Sequence, residues 1–508
     1  RIKRKVKCID GEVPVRVEFM PRFDYGRGRT ELSYINRGIL AQNGVMRGTL
    51  VSTKDFIIDD ELGLASTEFN LQSGRFTYLV FRYNTGSVDL KKDDEDHHND
   101  DMRRTLNLWQ EWTKKTDTPN MTILPSIWQE QIDRSALLLK ILFFEPVGTI
   151  AAAPTTSLPE WIGGVRNWDY RYTWIRDSSY AFKALFGIGH TVEAEEYLNW
   201  LVTVCATSKP SELQIMYGLR GERELPEEIL THLDGYQGSK PVRIGNGAAD
   251  QRQWDIYGSV FDVAYNLHTI TGNTISVKRW AVLQGIADHV VTIWGEPDEG
   301  IWEVRGGADH FLYSKIMCWV ALDRAVKMAE EMDLTGDIET WKRERDAIYH
   351  QIMTRGWSEE KQSFTQALDS EHLDAVILLM PTTGIIEGDD PKMISTIRAI
   401  QRELGRGEDG TLLLRYDAED GLPGEEGAFL LTSFWLVDAL VLAGEVDEAR
   451  QIFERLLSYA NHVGLYAEEM DPNTLEFLGN FPQAYTHIGL INSALMLARH
   501  GVGLTTDE

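Results

Sequence analysis

Two stretches of the chain place glutamates beside aromatic and apolar residues: Gly300-Ile-Trp-Glu303-Val-Arg-Gly-Gly and Gly464-Leu-Tyr-Ala-Glu468-Glu469-Met-Asp. A carboxyl group in such surroundings can keep its proton near neutral pH, because burial disfavours the charged form. One protonated and one ionised carboxyl facing each other across a sugar can break a glycosidic bond: the first protonates the leaving oxygen and the second works from the opposite face. Glu303 is the candidate for the first role, and Glu468 or Glu469 for the second. With 78 acidic residues in the chain, composition alone does not select this pair. Three further stretches carry aromatics with directed charges: Asn167-Trp-Asp-Tyr170-Arg-Tyr-Thr-Trp174-Ile-Arg176-Asp177, Asn246-Gly-Ala-Ala-Asp-Gln-Arg-Gln253-Trp-Asp255 and Leu414-Arg415-Tyr-Asp417. Aromatic faces among carboxylates and guanidiniums suit a sugar, whose CH faces are apolar and whose hydroxyls need partners. The competing readings are structural: Arg176 and Asp177 as a helix-capping ion pair, Trp174 and Trp302 as packing residues.

The elements that must bring these residues together are helices. From Pro125 onward, apolar periodicity predicts twelve of them, over 125–144, 177–187, 191–206, 256–271, 277–294, 311–332, 338–354, 371–380, 391–404, 427–443, 446–459 and 484–500. The odd members are striped: Ala449, Ile452, Phe453, Leu456 and Leu457 share one face, with Asp447, Glu448, Arg450 and Glu454 on the other. The even members, such as Phe429-Leu-Leu-Thr-Ser-Phe-Trp-Leu-Val, are apolar nearly all round and must be buried all round. Six outer and six inner helices in alternation describe a closed (α/α)6 barrel, a mostly α fold. Even-to-odd links are short, as at Gly444-Glu445, whereas odd-to-even links are long. All six long loops therefore emerge at one end, and the candidate residues lie on them.

Residues 1–90 read differently. Val13-Pro-Val-Arg-Val-Glu-Phe alternates and Phe76-Thr-Tyr-Leu-Val-Phe-Arg-Tyr is aromatic and β-rich, predicting a β-sandwich cut at its N-terminal edge. Residues 91–124 read as a linker with a helix, opening on the acidic run Lys91-Lys-Asp-Asp-Glu-Asp-His-His-Asn-Asp-Asp, and 125–508 form the barrel domain. The run lacks the glycine and terminal glutamate of a calcium loop, and no Cys/His cluster has zinc spacing; neither a metal nor a cofactor is expected. Cys205 and Cys318 sit in apolar helical patterns, as buried thiols do. A net charge of −27 disfavours nucleic acid and anionic lipid and leaves a neutral sugar unaffected. The apolar helix Phe429 to Leu442 carries Asp438 and is too short to span a bilayer. No signal peptide is visible, so the expectation is cytoplasmic, although the chain opens at Arg1. Oligomeric state leaves no mark in the sequence.

Tyr170-Arg-Tyr-Thr-Trp-Ile-Arg-Asp177, Gly300-Ile-Trp-Glu303 and Gly464-Leu-Tyr-Ala-Glu-Glu-Met-Asp471 together resemble glycoside hydrolase family 15, of glucoamylases, glucodextranases and, in its prokaryotic branch, trehalases. The resemblance covers nearly the whole chain. It implies an inverting enzyme that releases β-glucose, with Glu303 as general acid and Glu468 as the general base activating water. It also implies that Arg176, Asp177 and Arg415 grip the terminal glucose and that Tyr170, Trp174 and Trp302 wall its pocket. Glu469 falls to a wall position; Gln253 and Asp255 are weaker matches, because their loop departs from the fungal pattern. The implied activity is an exo-acting α-glucosidase on soluble oligosaccharides, with a trehalase cutting the α,α-1,1 bond as the alternative on the same site. An inverting phosphorylase is more distant, because acidic surroundings disfavour phosphate. A sugar-binding protein with a dead site is disfavoured by the presence of both carboxylates.

Overall fold

The structure is a computed structural model that describes residues 1–83, 95–116, 124–272 and 274–501. The chain divides into two compact units, Arg1–Trp112 and Thr113–Glu508. In the first, β1 (Ile2–Lys7), β2 (Glu12–Phe19), β3 (Glu31–Ile35), β4 (Gly38–Asn43), β5 (Met46–Ser52), β6 (Ile57–Asp59), β7 (Leu64–Gln72) and β8 (Phe76–Tyr83) form two antiparallel sheets. Their orders are β1-β8-β5-β4-β3 and β2-β7-β6. Along β2, Val15, Val17 and Phe19 turn inward while Arg16 and Glu18 face solvent, the period of two that a half-buried strand requires. Side chains from both sheets meet in one core that includes Leu32, Ile39, Leu50, Ala65 and Leu79. The expected boundary near residue 90 lies outside the described residues. From Glu95 the acidic run is helical, in α1 (Glu95–Thr113). There Asn99 accepts from Lys5 and Tyr78, and Asp101 pairs with Lys3.

The second unit is a double ring of helices. The outer ones are α2 (Ser126–Leu142), α4 (Thr191–Thr207), α6 (Val277–Ile293), α8 (Ile338–Arg355), α10 (Pro391–Leu404) and α12 (Val446–Ser458). The inner ones are α3 (Ile175–Gly187), α5 (Asp255–Thr271), α7 (Leu312–Glu331), the 3-10 turn Ala375–Leu379 running into α9 (Met380–Thr383), α11 (Leu430–Leu442) and α13 (Ala484–Arg499). Each inner element touches the next, and α13 returns to α3, so the ring closes. In α11 every residue from Leu430 to Val441 is buried. In α12 only Ala449, Phe453, Leu456 and Leu457 are. The difference is that between a helix with neighbours on all sides and one with a solvent face.

One element departs from expectation. The helix predicted over 371–380 starts only at Ala375 and is 3-10 for its first five residues. The preceding backbone is committed elsewhere: Gln366 N–H donates to the His372 carbonyl, and Leu373 N–H donates to Asp417 at 2.8 Å. Asp374 then caps the turn by accepting from Val376 N–H at 2.9 Å. Pro381, which has no N–H, and Gly384, at φ 80°, close it at the other end. Among the described residues no helix is long and apolar enough to cross a membrane.

The inner ring is tight where α5 meets α7. A Cβ on Gly258 would lie 2.3 Å from the Met317 carbonyl oxygen, so the two helices approach closely only because that atom is missing. Gly258→Ala is predicted to destabilise by about 1–3 kcal/mol despite alanine's better helix propensity. Chemical denaturation measures this, and an unchanged midpoint would mean that α5 and α7 are not held at this spacing.

Candidate active site

The loop between α6 and α7 carries Glu303 and is pinned at three points. Lys315 Nζ, buried in α7, donates to the carbonyls of Trp294 and Glu296 at 2.7 and 2.6 Å. Asp298 accepts from Trp254 N–H and Ser314 Oγ. The Trp302 indole N–H is shared between both oxygens of Asp374, at 3.0 and 2.9 Å. Burial pushes that carboxyl up to about 7. Between these anchors Glu303 adopts φ 53°, a left-handed conformation uncommon for a residue with a Cβ. Its Oε1 accepts from Trp174 Nε1 and from Arg176 Nη1, each at 3.1 Å. Both donors converge on one oxygen, so a proton on this carboxyl belongs on Oε2.

Trp174 and Arg176 are placed by the start of α3. Thr173–Trp174 pairs with Met216–Tyr217 as a short ladder, and α3 begins at Ile175. Arg176 is thereby held in the first turn, where it also donates to the Ile301 carbonyl at 2.6 Å and to Asp177 at 3.0 Å. Arg176 and Asp177 do form an ion pair, but one that faces Glu303 rather than only closing a helix end. Tyr170 lies edge-on to Trp174, with ring centroids 5.4 Å apart.

Glu468 and Glu469 sit at the start of a small three-stranded ladder, in which Glu469–Met470 pairs with Ala428–Phe429 and Phe477–Leu478. Glu468 itself lies in the bend just before that strand. Glu468 lines a hollow at the long-loop end, and its Oε2 accepts from Asn480 N–H at 3.1 Å. Glu469 points away, and its Oε2 accepts from Gly427 N–H at 2.8 Å. Both are fully buried. Burial pushes Glu468 up to about 7, with Arg415 and the Tyr170 hydroxyl pulling the other way. Burial, reinforced by Glu160 and Glu426, raises Glu469 well above the usual carboxylate range.

Behind Glu468 lies a cluster centred on Arg415. Its Nη2 reaches Glu160 at 3.3 Å, Glu469 at 3.6 Å and Glu426 at closer range. Oxygens of these three carboxylates lie within 4.8 Å of one another, a spacing that could hold a metal ion. Here the cation they share is the guanidinium. Burial pushes Glu160 up to about 8, against the pull of Arg415. Arg166 extends the cluster with a two-pronged bond to Asp420 at 2.5 and 3.0 Å.

These groups line two adjoining hollows at the long-loop end, which share Tyr170, Trp174, Trp302, Glu303 and Arg415. The inner hollow adds Arg176, Asp177, Glu468 and Tyr485, and the outer adds Trp168, Asn246, Arg305 and Asp420. Eight of the sequence candidates thus meet in one place. Three do not line it. Glu469 belongs to the Arg415 cluster; Gln253 is buried beside Gln251; Asp255 opens α5 as a fully buried carboxyl whose oxygens have no hydrogen-bond partner among the described residues. Burial pushes Asp255 up to about 7, with Arg176 the chief opposing charge. Glu160, Arg166, Asp420, Glu426 and Asn480 escaped the sequence reading. Nothing local marks them except that Glu160 and Arg166 flank the tryptophan-bearing loop.

Glu303 and Glu468 thus line one hollow at the mouth of an (α/α)6 barrel, an arrangement suited to breaking a glycosidic bond. Over residues 127–495 the sequence matches the glycosyl hydrolases family 15, and the chain belongs to that family. It is 40% identical over 507 residues to a trehalase of Mycolicibacterium smegmatis, covering 98% of this chain and 74% of that protein. It is 34% identical to a trehalase of Thermoplasma acidophilum, covering 97% and 82%. Among solved structures, a bacterial glucoamylase complexed with acarbose superposes with a TM-score of 0.69 at 16% identity, covering 92% of this chain and 74% of that one. That likeness shows the fold.

Arg415 is the cation shared by the buried Glu160 and Glu469 and the half-buried Glu426. Arg415→Met is predicted to cost about 3–5 kcal/mol, because it removes the one cation that pairs with these acids in a largely buried cluster. Thermal or denaturant unfolding reads the loss, and a variant as stable as the parent would show the cluster to be neutral.

Proposed function

We propose that this glycoside hydrolase cleaves α,α-trehalose with inversion at one anomeric carbon. The observation that carries the reading is the placement of Glu303 and Glu468. They line the same hollow from loops that lead into α7 and α13, third and sixth in the inner ring and so half a turn apart. Carboxyls facing each other across a sugar, about 6.5–9.5 Å apart, leave room for a water in the inverting mechanism. Glu303 protonates the glycosidic oxygen from Oε2 as the C1–O bond breaks. Glu468 takes a proton from a water whose oxygen attacks C1 on the opposite face. Arg176 and Asp177 hold the hydroxyls of the first glucose, with Tyr170, Trp174 and Trp302 as walls. The two named trehalases, at 40% and 34% identity, favour trehalose over the malto-oligosaccharides that the motifs first suggested.

Glucose release from trehalose, maltose and isomaltose tests the substrate. Trehalose is expected to be turned over best, and preference for maltose would move the assignment to a glucoamylase. Glu303→Gln and Glu468→Gln are each predicted to lower kcat by about 10²–10⁴-fold; near-full activity in either would remove that residue from its role. Glu468 must be ionised to accept a proton, so kcat/KM should rise as pH climbs through about 7. The Tyr170 hydroxyl favours the ionised form. Tyr170→Phe should therefore raise the pKa of Glu468 and displace the acid limb of the pH–rate profile to higher pH; displacement to lower pH would contradict this.

A further inference from the structure

The outer hollow contains a cationic group for which the chemistry at Glu303 has no use. Arg305 is two residues beyond the general acid. Its guanidinium carbon lies 4.4 Å from the Trp168 ring centroid, and its Nη2 donates to Glu227 at 2.9 Å. Arg243 approaches the same ring at 4.6 Å and pairs with the same Glu227 at 3.3 Å. Gly247 N–H also donates to Glu227. The two arginines are not equivalent. Arg243 is turned into the protein, donating from Nη1 to the carbonyls of Val165 and Asn167. Arg305 lines the outer hollow, and among the described residues only Nη2 of its fork of donors is engaged.

The backbone beneath Arg305 is fixed as well. Its N–H donates to the Asp420 carbonyl at 3.0 Å, and a Cβ on Gly421 would lie 2.7 Å from Gly306. The Trp168 carbonyl accepts from Asn480 Nδ2, and Asn480 N–H in turn holds Glu468. Arg305 is thus a stacked, braced guanidinium in the outer hollow, linked through Trp168 and Asn480 to the loop of Glu468. Arginine in that state loses little freedom on binding and presents planar donors to hydroxyl oxygens.

Resting on the assignment of Glu303 and of trehalose, we propose that Arg305 is the specificity-determining residue for the leaving sugar. It donates to that sugar's hydroxyls, with Trp168 and Glu227 as its positioning residues. Such contacts would favour a leaving group that is a whole hydroxylated ring over one that is not.

The test compares trehalose with α-glucosyl fluoride, whose leaving group puts no sugar in the outer hollow. Arg305→Ala is expected to lose about 10–100-fold in kcat/KM on trehalose, the worth of a charge-assisted hydrogen bond, and to show no such loss on the fluoride. The alkaline limb of the trehalose pH profile, which reports the general acid, should stay in place. Equal losses on both substrates, no loss on trehalose, or a displaced alkaline limb would each overturn the proposal. The last would show that Arg305 acts through Glu303. Arg305→Gln, which keeps a planar polar group over Trp168, carries the same comparison should the alanine variant fail to fold. If the unsubstituted enzyme prefers maltose, the trehalose reading has failed by itself, and the Arg305 comparison is read on maltose against the fluoride.

Discussion

Around Glu468, five carboxyl groups (Glu160, Asp420, Glu426, Glu468 and Glu469) share a largely buried region with two guanidiniums, those of Arg166 and Arg415. Arg166 is taken up mainly by Asp420, so Arg415 faces most of the remaining negative charge alone. Charges of one sign cannot all be kept out of water without partners. The structure answers by raising acid pKa values: Glu160 to about 8 and Glu468 to about 7. A carboxyl poised near neutrality can take up a proton and release it again, which is what a general base must do in each turnover. The arginine cluster therefore both holds the mouth of the barrel together and tunes its chemistry.

The barrel supplies what the cluster cannot, which is rigidity. Buried polar contacts hold the loops of both glutamates: Lys315 binds the carbonyls of the Glu303 loop, Asp374 accepts from the Trp302 indole, and Asn480 N–H donates to Glu468. Glu303 pays for its left-handed backbone through these anchors. The result is a glutamate that lines both hollows with one oxygen committed to two N–H donors.

The barrel was legible because burial leaves a period. All-apolar α11 and striped α12 are told apart by composition alone, and the long loops follow from the spacing of the helices. The fourth inner element was misread because its apolar run, Ala375 to Met380, looks helical, whereas the side-chain acceptors that cap its start come from elsewhere in the fold. The choice of Glu468 over Glu469 rested on resemblance; in the fold Glu468 lines the inner hollow, whereas Glu469 faces Arg415 and accepts from Gly427 N–H. Glu160 and Glu426 were illegible because Leu158-Pro-Glu-Trp and Gly424-Glu-Glu-Gly read as ordinary solvated turns. Only the folded chain brings them to Arg415, 255 and 11 residues away.

The central claim is that a water, activated by Glu468, enters opposite the bond that Glu303 protonates. Proton NMR of the first sugars released from α,α-trehalose, recorded before mutarotation, tests it most directly. Inversion at the attacked carbon gives β-glucose, while the leaving sugar keeps its own anomeric bond and departs as α-glucose. The account predicts the two anomers in equal initial amounts; α-glucose alone would contradict it.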